Sequence, residues 1–317
     1  MKVLVAGASG VIGRQLVPLL VCAGHDVIGL SRSGARLAGS AQAASARMLA
    51  VDALDRAAVA EVVGEVAPEA VVNMLTAIPA ELNPRRMASE FQATNRLRTE
   101  GTSHLLDAAA HAGVRRVIGQ GLAYAYDPTG REPANEAEPL WKDPPRQFAP
   151  VIRALVELER STREAGGLVL RLGHLYGPGT IYAPDGSFVR AVRAGKVPLF
   201  GGGRSVFSFT HVHDVATAIL AALDKDVSGA LNVVDDQPAP MGVWLPALAR
   251  LVGGPAPRKL PAAIAPILVG GWGAAYMTAL RGADNARARL TLDWRPRYPS
   301  WRQGFEAEFE HQQATTV

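Results

Sequence analysis

A chain of 317 residues, 48% hydrophobic and 20% charged, has enough apolar side chains for a large core, which excludes a disordered or fibrous protein. Its 33 basic and 29 acidic residues leave a formal charge of +4, and no run of Lys or Arg gathers that excess into a stripe that follows phosphates. Nucleic acid is therefore not an expected partner. The single cysteine, Cys22, excludes an intramolecular disulfide, and its apolar surroundings predict a buried core residue.

In chain order, short apolar runs alternate with amphipathic helical patterns, as in a parallel sheet with crossover helices. Strands are predicted over 2–6, 26–30, 47–51, 70–74, 116–118 and 167–172, and helices over 10–23, 57–66, 98–112 and 149–164. From Tyr176 onward Gly, Pro and aromatic residues become dense, before a predicted helix over 214–223 and a strand over 229–234. The fold class is α/β, a Rossmann-type doubly wound parallel sheet with a smaller, mostly helical C-terminal substrate domain. Residues 1–175 and 207–237 are assigned to the cofactor-binding domain, and 176–206 and 238–317 to the substrate side.

Residues 260–280 carry no charge and reach the length of a membrane span. Pro261, Pro266, Gly270, Gly271 and Gly273 instead predict two short packed helices with a break, so no stable membrane insertion is expected. A strand begins within two residues of Met1 with no basic, apolar leader before it, which makes a cytoplasmic location the expectation.

The strongest motif is MKVLVAGASGVIGRQL, where Gly7, Gly10 and Gly13 end an apolar strand and open a helix. Gly7 suits a tight turn, Gly10 the approach of backbone to a pyrophosphate, and Gly13 close packing of helix on strand. With Ser9, Val11 and Ile12 they form a loop that offers free N–H groups and the positive end of a helix to phosphates. NAD binders place an acid at the end of the second strand for the ribose hydroxyls. Here Ser31, Arg32 and Ser33 stand there, and Arg32 suits a 2′-phosphate, so the expected cofactor is NADP(H). Asp52, followed by Ala53, is placed either to approach the adenine or to cap the next helix.

The spacing G-x-x-G-x-x-G resembles the extended short-chain dehydrogenases/reductases, the NAD-dependent epimerase/dehydratase family. VDALD, TEGTSHLLDAA, LRLGHLYGPG, FSFTHVHDVATAI and GALNVVDD resemble further family segments over nearly the whole chain. The resemblance implies an NADP-dependent oxidoreductase or epimerase/dehydratase-like enzyme acting on a small organic molecule, with a homodimer allowed. It also implies further cofactor contacts from Leu75, Thr76, Gln120 and Gly173, with Arg153 in place of the family's ribose-holding lysine.

In that family a tyrosine exchanges the proton on the substrate oxygen and a lysine four residues later lowers its pKa. None of the tyrosines here, Tyr124, Tyr126, Tyr176, Tyr182, Tyr276 and Tyr298, has a lysine at that spacing, and RQFAPVIRALVELER lacks both. Phe148 or Val151 falls at the tyrosine's place and Ile152, Arg153 or Leu155 at the lysine's. Gln120, Gly121 and Leu122 stand where the family has a serine that polarises the substrate carbonyl. Tyr124, matched to the family's VYG element, and His174 are left as candidate catalytic residues. His211, His213 and Asp214 superficially suit a metal, but the family pattern makes Asp214 a helix N-cap, so no metal is expected. Two other classes remain open: a regulatory protein that holds NADP(H) without turnover, and a non-redox isomerase or lyase that keeps it as structure.

Overall fold

The computed structural model describes residues 1–35, 37, 40–130 and 132–315, with side chains described as far as Glu310. Seven strands form one parallel sheet: β1 (Lys2–Ala6), β2 (Asp26–Ser31), β3 (Arg47–Ala50), β4 (Ala70–Asn73), β5 (Arg116–Leu122), β6 (Leu168–Leu172) and β7 (Gly229–Val233). Their order is β7-β6-β5-β4-β1-β2-β3, and the reversal beside β1 leaves a crevice at the carboxyl ends of β1 and β4. β1 is apolar from Val3 to Ala6 because helices cover both faces of the sheet. Val3 and Val5 face one side, with Leu16 and Leu20 of helix Val11–Cys22 and Ile219 of helix Val212–Leu223. Leu4 faces the other, with Val59, Val63 and Leu105. A third cluster joins Phe148, Val151 and Leu155 of the β5–β6 connection to Phe207, Phe209, Trp244, Trp272 and Phe305.

Several features depart from the sequence expectations. Cys22 is exposed, because it closes the last turn of its helix on the side away from the sheet. β5 runs on to Leu122, since Gly119 and Gly121 leave room for Thr162 and for Glu159 of helix Ala149–Glu164. The predicted helix over 98–112 opens instead with a π-helical turn, Leu97–Gly101, before Thr102–His111. In the uncharged segment, helix Ala265–Thr278 is broken at Gly270, where φ is 75° and ψ 172°, and no described helix is long and apolar enough to cross a membrane.

A buried polar knot fixes the far side of the sheet. The Arg171 guanidinium donates to both carboxylate oxygens of Glu159 at 2.9 and 2.7 Å and to the Tyr126 hydroxyl at 2.7 Å. Tyr126 in turn donates to Asn232 Oδ1 at 2.7 Å. Burial pushes the Tyr126 phenol up to about 12, against the pull of Arg171. Tyr126 is thus a structural hydroxyl that ties β5, β6 and β7 together.

Candidate active site

The turn after β1 has the geometry of a phosphate cradle. Gly7 has φ of 88°, and a Cβ there would lie 2.7 Å from the Met74 carbonyl oxygen, so only glycine fits. A Cβ on Gly13 would lie 2.3 Å from the Ala8 oxygen, so glycine is what lets helix and turn pack. Gly10 differs: its φ is −73°, and the one protein atom within 4 Å of a Cβ there would be the Gly7 oxygen, at 3.1 Å. The space a side chain would fill is otherwise open. Gly10 also caps the helix with no side-chain acceptor, which leaves the first-turn N–H groups of Val11 and Ile12 available to an anion. From the other side, a Cβ on Gly179 would touch Val11 Cγ2 at 3.5 Å, so the loop after Tyr176 closes against the start of the helix. These features fit the pyrophosphate of a dinucleotide.

The remaining expected cofactor contacts surround this cradle unevenly. Arg32 is exposed at the end of β2 and makes no ion pair or hydrogen bond to a described residue, while the Ser31 hydroxyl accepts from Gly34 N–H at 3.1 Å. Asp52 accepts from Leu54 N–H at 3.0 Å in a local turn; the cap of helix Arg56–Val66 is Asp55, which takes Ala57 and Ala58 N–H. Ala53 packs inward with its carbonyl oxygen 3.1 Å from His104 Nδ1. Leu75 follows Met74 beside Gly7 and donates to Asn73 Oδ1 at 3.2 Å, with Thr76 exposed next to it. Gln120 is buried in β5, and Gly173 N–H donates to Thr210 Oγ1 at 2.9 Å. Arg153 is not brought to the cradle. It is exposed and lines a groove with Ala88, Gln92, Asn95 and Thr99, because it lies on the outward face of its helix.

Tyr124 and His174, far apart in sequence, stack on each other. Tyr124 sits in the turn Ala123–Ala125 that ends β5, and its ring lies 4.6 Å from the His174 imidazole, 24° from parallel. Phe207 stacks on the other face of His174 at 3.9 Å, and Tyr276 meets its edge at 5.3 Å. His174 Nδ1 is 3.1 Å from the Ser208 carbonyl oxygen, so it carries the proton, and buried Nε2 has no hydrogen-bond partner among the described residues. Burial holds the imidazole down to about 3 against the opposing Ser208 hydrogen bond. His174 is therefore a neutral acceptor at physiological pH and not a proton donor. Burial also raises the Tyr124 phenol, and the nearby Arg98 guanidinium opposes that rise.

This arrangement has a testable consequence for stability. A histidine whose folded pKa is depressed contributes stability that is complete above its unfolded value of about 6.5 and is lost as pH falls from there toward about 3. His174→Phe, which preserves the stack, is predicted to flatten the acid limb of stability by about 1.4 kcal/mol per pH unit in that window. Urea unfolding at several pH values checks it, and an unchanged slope would count against a buried neutral imidazole.

Apart from exposed Arg153, the positions aligned with the family's tyrosine and lysine hold apolar side chains. Phe148, Val151, Ile152 and Leu155 are all buried in the third core cluster. Asp214 is not the helix cap: His211 is, accepting from His213 N–H, while the Asp214 carboxylate takes the Arg297 and Tyr298 N–H groups at 2.8 and 3.2 Å. His211 Nε2 is 3.0 Å from Glu308 Oε1. Sequence reading does not single out Arg98, which lies beside Tyr124 and is 2% exposed, because an arginine in a helical pattern carries no signal that it is buried.

Residues 3–234 match the model of the NAD dependent epimerase/dehydratase family, and the chain belongs to that family. It is an NAD(P)-dependent oxidoreductase of the short-chain dehydrogenase/reductase superfamily, with a nicotinamide cofactor. Among its relatives, a 3-diazoavenalumate denitrifying reductase from a Streptomyces species is 48% identical over 97% of this chain and 100% of its own length. A UDP-glucose 4-epimerase from Mycolicibacterium smegmatis is 27% identical over 93% of this chain and 94% of its own. Among solved structures, the Thermotoga maritima UDP-glucose 4-epimerase with UDP-glucose superposes with a TM-score of 0.77 at 22% identity, each chain covered fully. A human epimerase family protein with NADPH gives 0.72 at 23% identity over 98% of this chain and 99% of that one. At those identities the likeness is one of fold.

Proposed function

We propose that the chain is an NADPH-dependent reductase of a small aromatic diazo compound, removing the diazo nitrogen as dinitrogen. The observation that carries this reading is the aromatic site itself: the rings of Tyr124, Phe207 and Tyr276 surround a histidine held neutral, with no Tyr–Lys pair in the adjoining helix. The 48% identical relative, named as a denitrifying reductase of a diazo compound, supports the substrate class.

A nicotinamide dinucleotide held by the Gly7–Gly13 cradle would supply a hydride. A carbonyl that accepts a hydride becomes an alkoxide and needs a proton on oxygen, the task of the family's tyrosine. An aryl diazonium group is already cationic. Hydride addition to its terminal nitrogen would give an aryl diazene, whose N–H bond then breaks as its hydrogen passes to the ring carbon while the C–N bond breaks and dinitrogen leaves. The sum is one arene and one dinitrogen per hydride, with no net proton taken up. A site without the family's Tyr–Lys pair suits that chemistry. The substrate ring stacks along Tyr124, and His174 Nε2 accepts a hydrogen bond from a substrate hydroxyl, which gives that buried lone pair a partner. Gly7, Ser9, Gly10, Val11, Ile12 and Gly13 hold the pyrophosphate. Arg32, free of described partners, takes the 2′-phosphate and favours NADP(H) over NAD(H).

The test incubates the purified chain with NADPH and an aryl diazonium carboxylate while NADPH absorbance and dinitrogen are followed together. One dinitrogen per NADPH is expected, with the label from deuterated NADPH on the ring carbon. NADPH consumption without dinitrogen, or no consumption, overturns the reading. In the same preparation Arg32→Ala should weaken NADPH by about 1–3 kcal/mol and leave NADH unchanged. Equal affinity of the parent for both cofactors would remove the NADP assignment.

A further inference from the structure

Arg98 is 2% exposed, yet no carboxylate pairs with it among the described residues. It stands on the π-helical turn Leu97–Gly101, a form that recurs where a helix is adapted to a function. The one hydrogen bond of its side chain to a described residue is to Asn95 Oδ1, at a long 3.4 Å, and its guanidinium carbon lies 5.9 Å from the centre of the Phe91 ring. The contrast with Arg171 is sharp. That buried guanidinium is matched on two edges by Glu159 and Tyr126. A guanidinium carries five N–H donors in a rigid fork, and burying it without a counter-charge is costly. Burial pulls Arg98 down to about 10, with Tyr124 opposing, so it remains a cation at neutral pH.

What lies beside it is the proposed substrate site. Tyr124 is half-buried, its hydroxyl has no described hydrogen-bond partner, and its ring forms the stack with His174. His174 Nε2 is a second unsatisfied group on the same stack. A buried cation electrostatically coupled to Tyr124 thus borders an aromatic stack that carries a hydroxyl and an acceptor without described partners. The groups that interact with the Arg98 guanidinium include Phe91, Asn95 and, electrostatically, Tyr124, none of them in the Gly7–Gly13 cradle.

Resting on the reading of this site as the substrate's, we propose that Arg98 is the receptor for an anionic oxygen carried by the aromatic substrate, a phenolate or carboxylate. The guanidinium fork supplies the charge-assisted hydrogen bonds, and the Tyr124 hydroxyl donates to the same oxygen. Arg98 selects anionic rings over neutral ones and fixes which end of the ring enters the site. A cofactor phosphate offers the same oxyanion chemistry, and the test separates the two sources.

The probe is para-nitrophenol, whose anion is coloured and whose neutral form is not. It is titrated spectroscopically into the full chain with and without NADPH. The parent is expected to bind the phenolate at least about tenfold more tightly than the phenol, which lowers the apparent pKa of the bound probe by about one unit. Arg98→Gln is expected to abolish that preference, Arg98→Lys to keep part of it, and NADPH affinity to stay at the parent's value in both. Arg98→Gln should also unfold at the same temperature as the parent or higher, because it removes a buried charge that lacks a partner. Equal phenolate binding by parent and Arg98→Gln overturns the proposal. So does a loss confined to NADPH affinity, which would assign the arginine to the cofactor, and so does failure of Arg98→Gln to fold, which would mark it as structural. The measurement needs no turnover, so failure of diazo reduction would leave this result standing.

Discussion

Glu159→Ala is expected to lower the stability of the folded chain by about 3–5 kcal/mol, because it strands the Arg171 guanidinium in the interior. Both side chains of the pair are 6% exposed, and the bond is bidentate, so solvent cannot take over the role of the lost carboxylate. The knot also holds the Tyr126 hydroxyl, and through it Asn232 on β7, so the damage reaches the edge of the sheet. Replacing both partners, Glu159→Leu with Arg171→Met, should recover most of the loss, since an apolar pair of similar volume has no unmatched charge. Urea unfolding of the parent, the single and the double variant decides it. A single-variant loss below about 1 kcal/mol would mean that water reaches the pair.

The second large effect is on cofactor binding. Gly10→Val is expected to weaken NADPH by roughly a hundredfold or more, about 2.7 kcal/mol, while the far-UV circular dichroism stays native. The two outcomes separate because of where Gly10 sits. Its φ of −73° is open to any residue, and a Cβ there meets a single protein atom within 4 Å. Its side chain therefore grows into the open space proposed for the phosphates. Gly7 and Gly13 would not serve as the same probe, since a Cβ at either runs into backbone. Calorimetric titration of NADPH into the variant checks the prediction, and retained affinity would show that the cradle is not the phosphate site.

The sequence by itself determined the sheet and the cradle. An apolar run buried on both faces, three glycines at fixed spacing and a helix directly after them are local patterns, and each is dictated by residues within one βαβ unit. The absence of a Tyr–Lys pair was equally legible, since spacing along one helix is a property of the chain alone. Arg153 shows where local reading stops: its position in the motif suggested the cofactor, but the turn of its helix aims it outward. The same limit applied to Asp52 and Asp214, whose local context allowed a helix cap while the folded chain gave the caps to Asp55 and His211. Tertiary structure alone decided the chemistry of the site. The neutrality of His174 depends on Tyr124, Phe207 and Ser208 converging from distant segments to exclude water, and the unpaired state of buried Arg98 depends on no carboxylate among the described residues doing so. Burial and the identity of neighbours set the charge of a group, and neither is written in the spacing of residues along a chain.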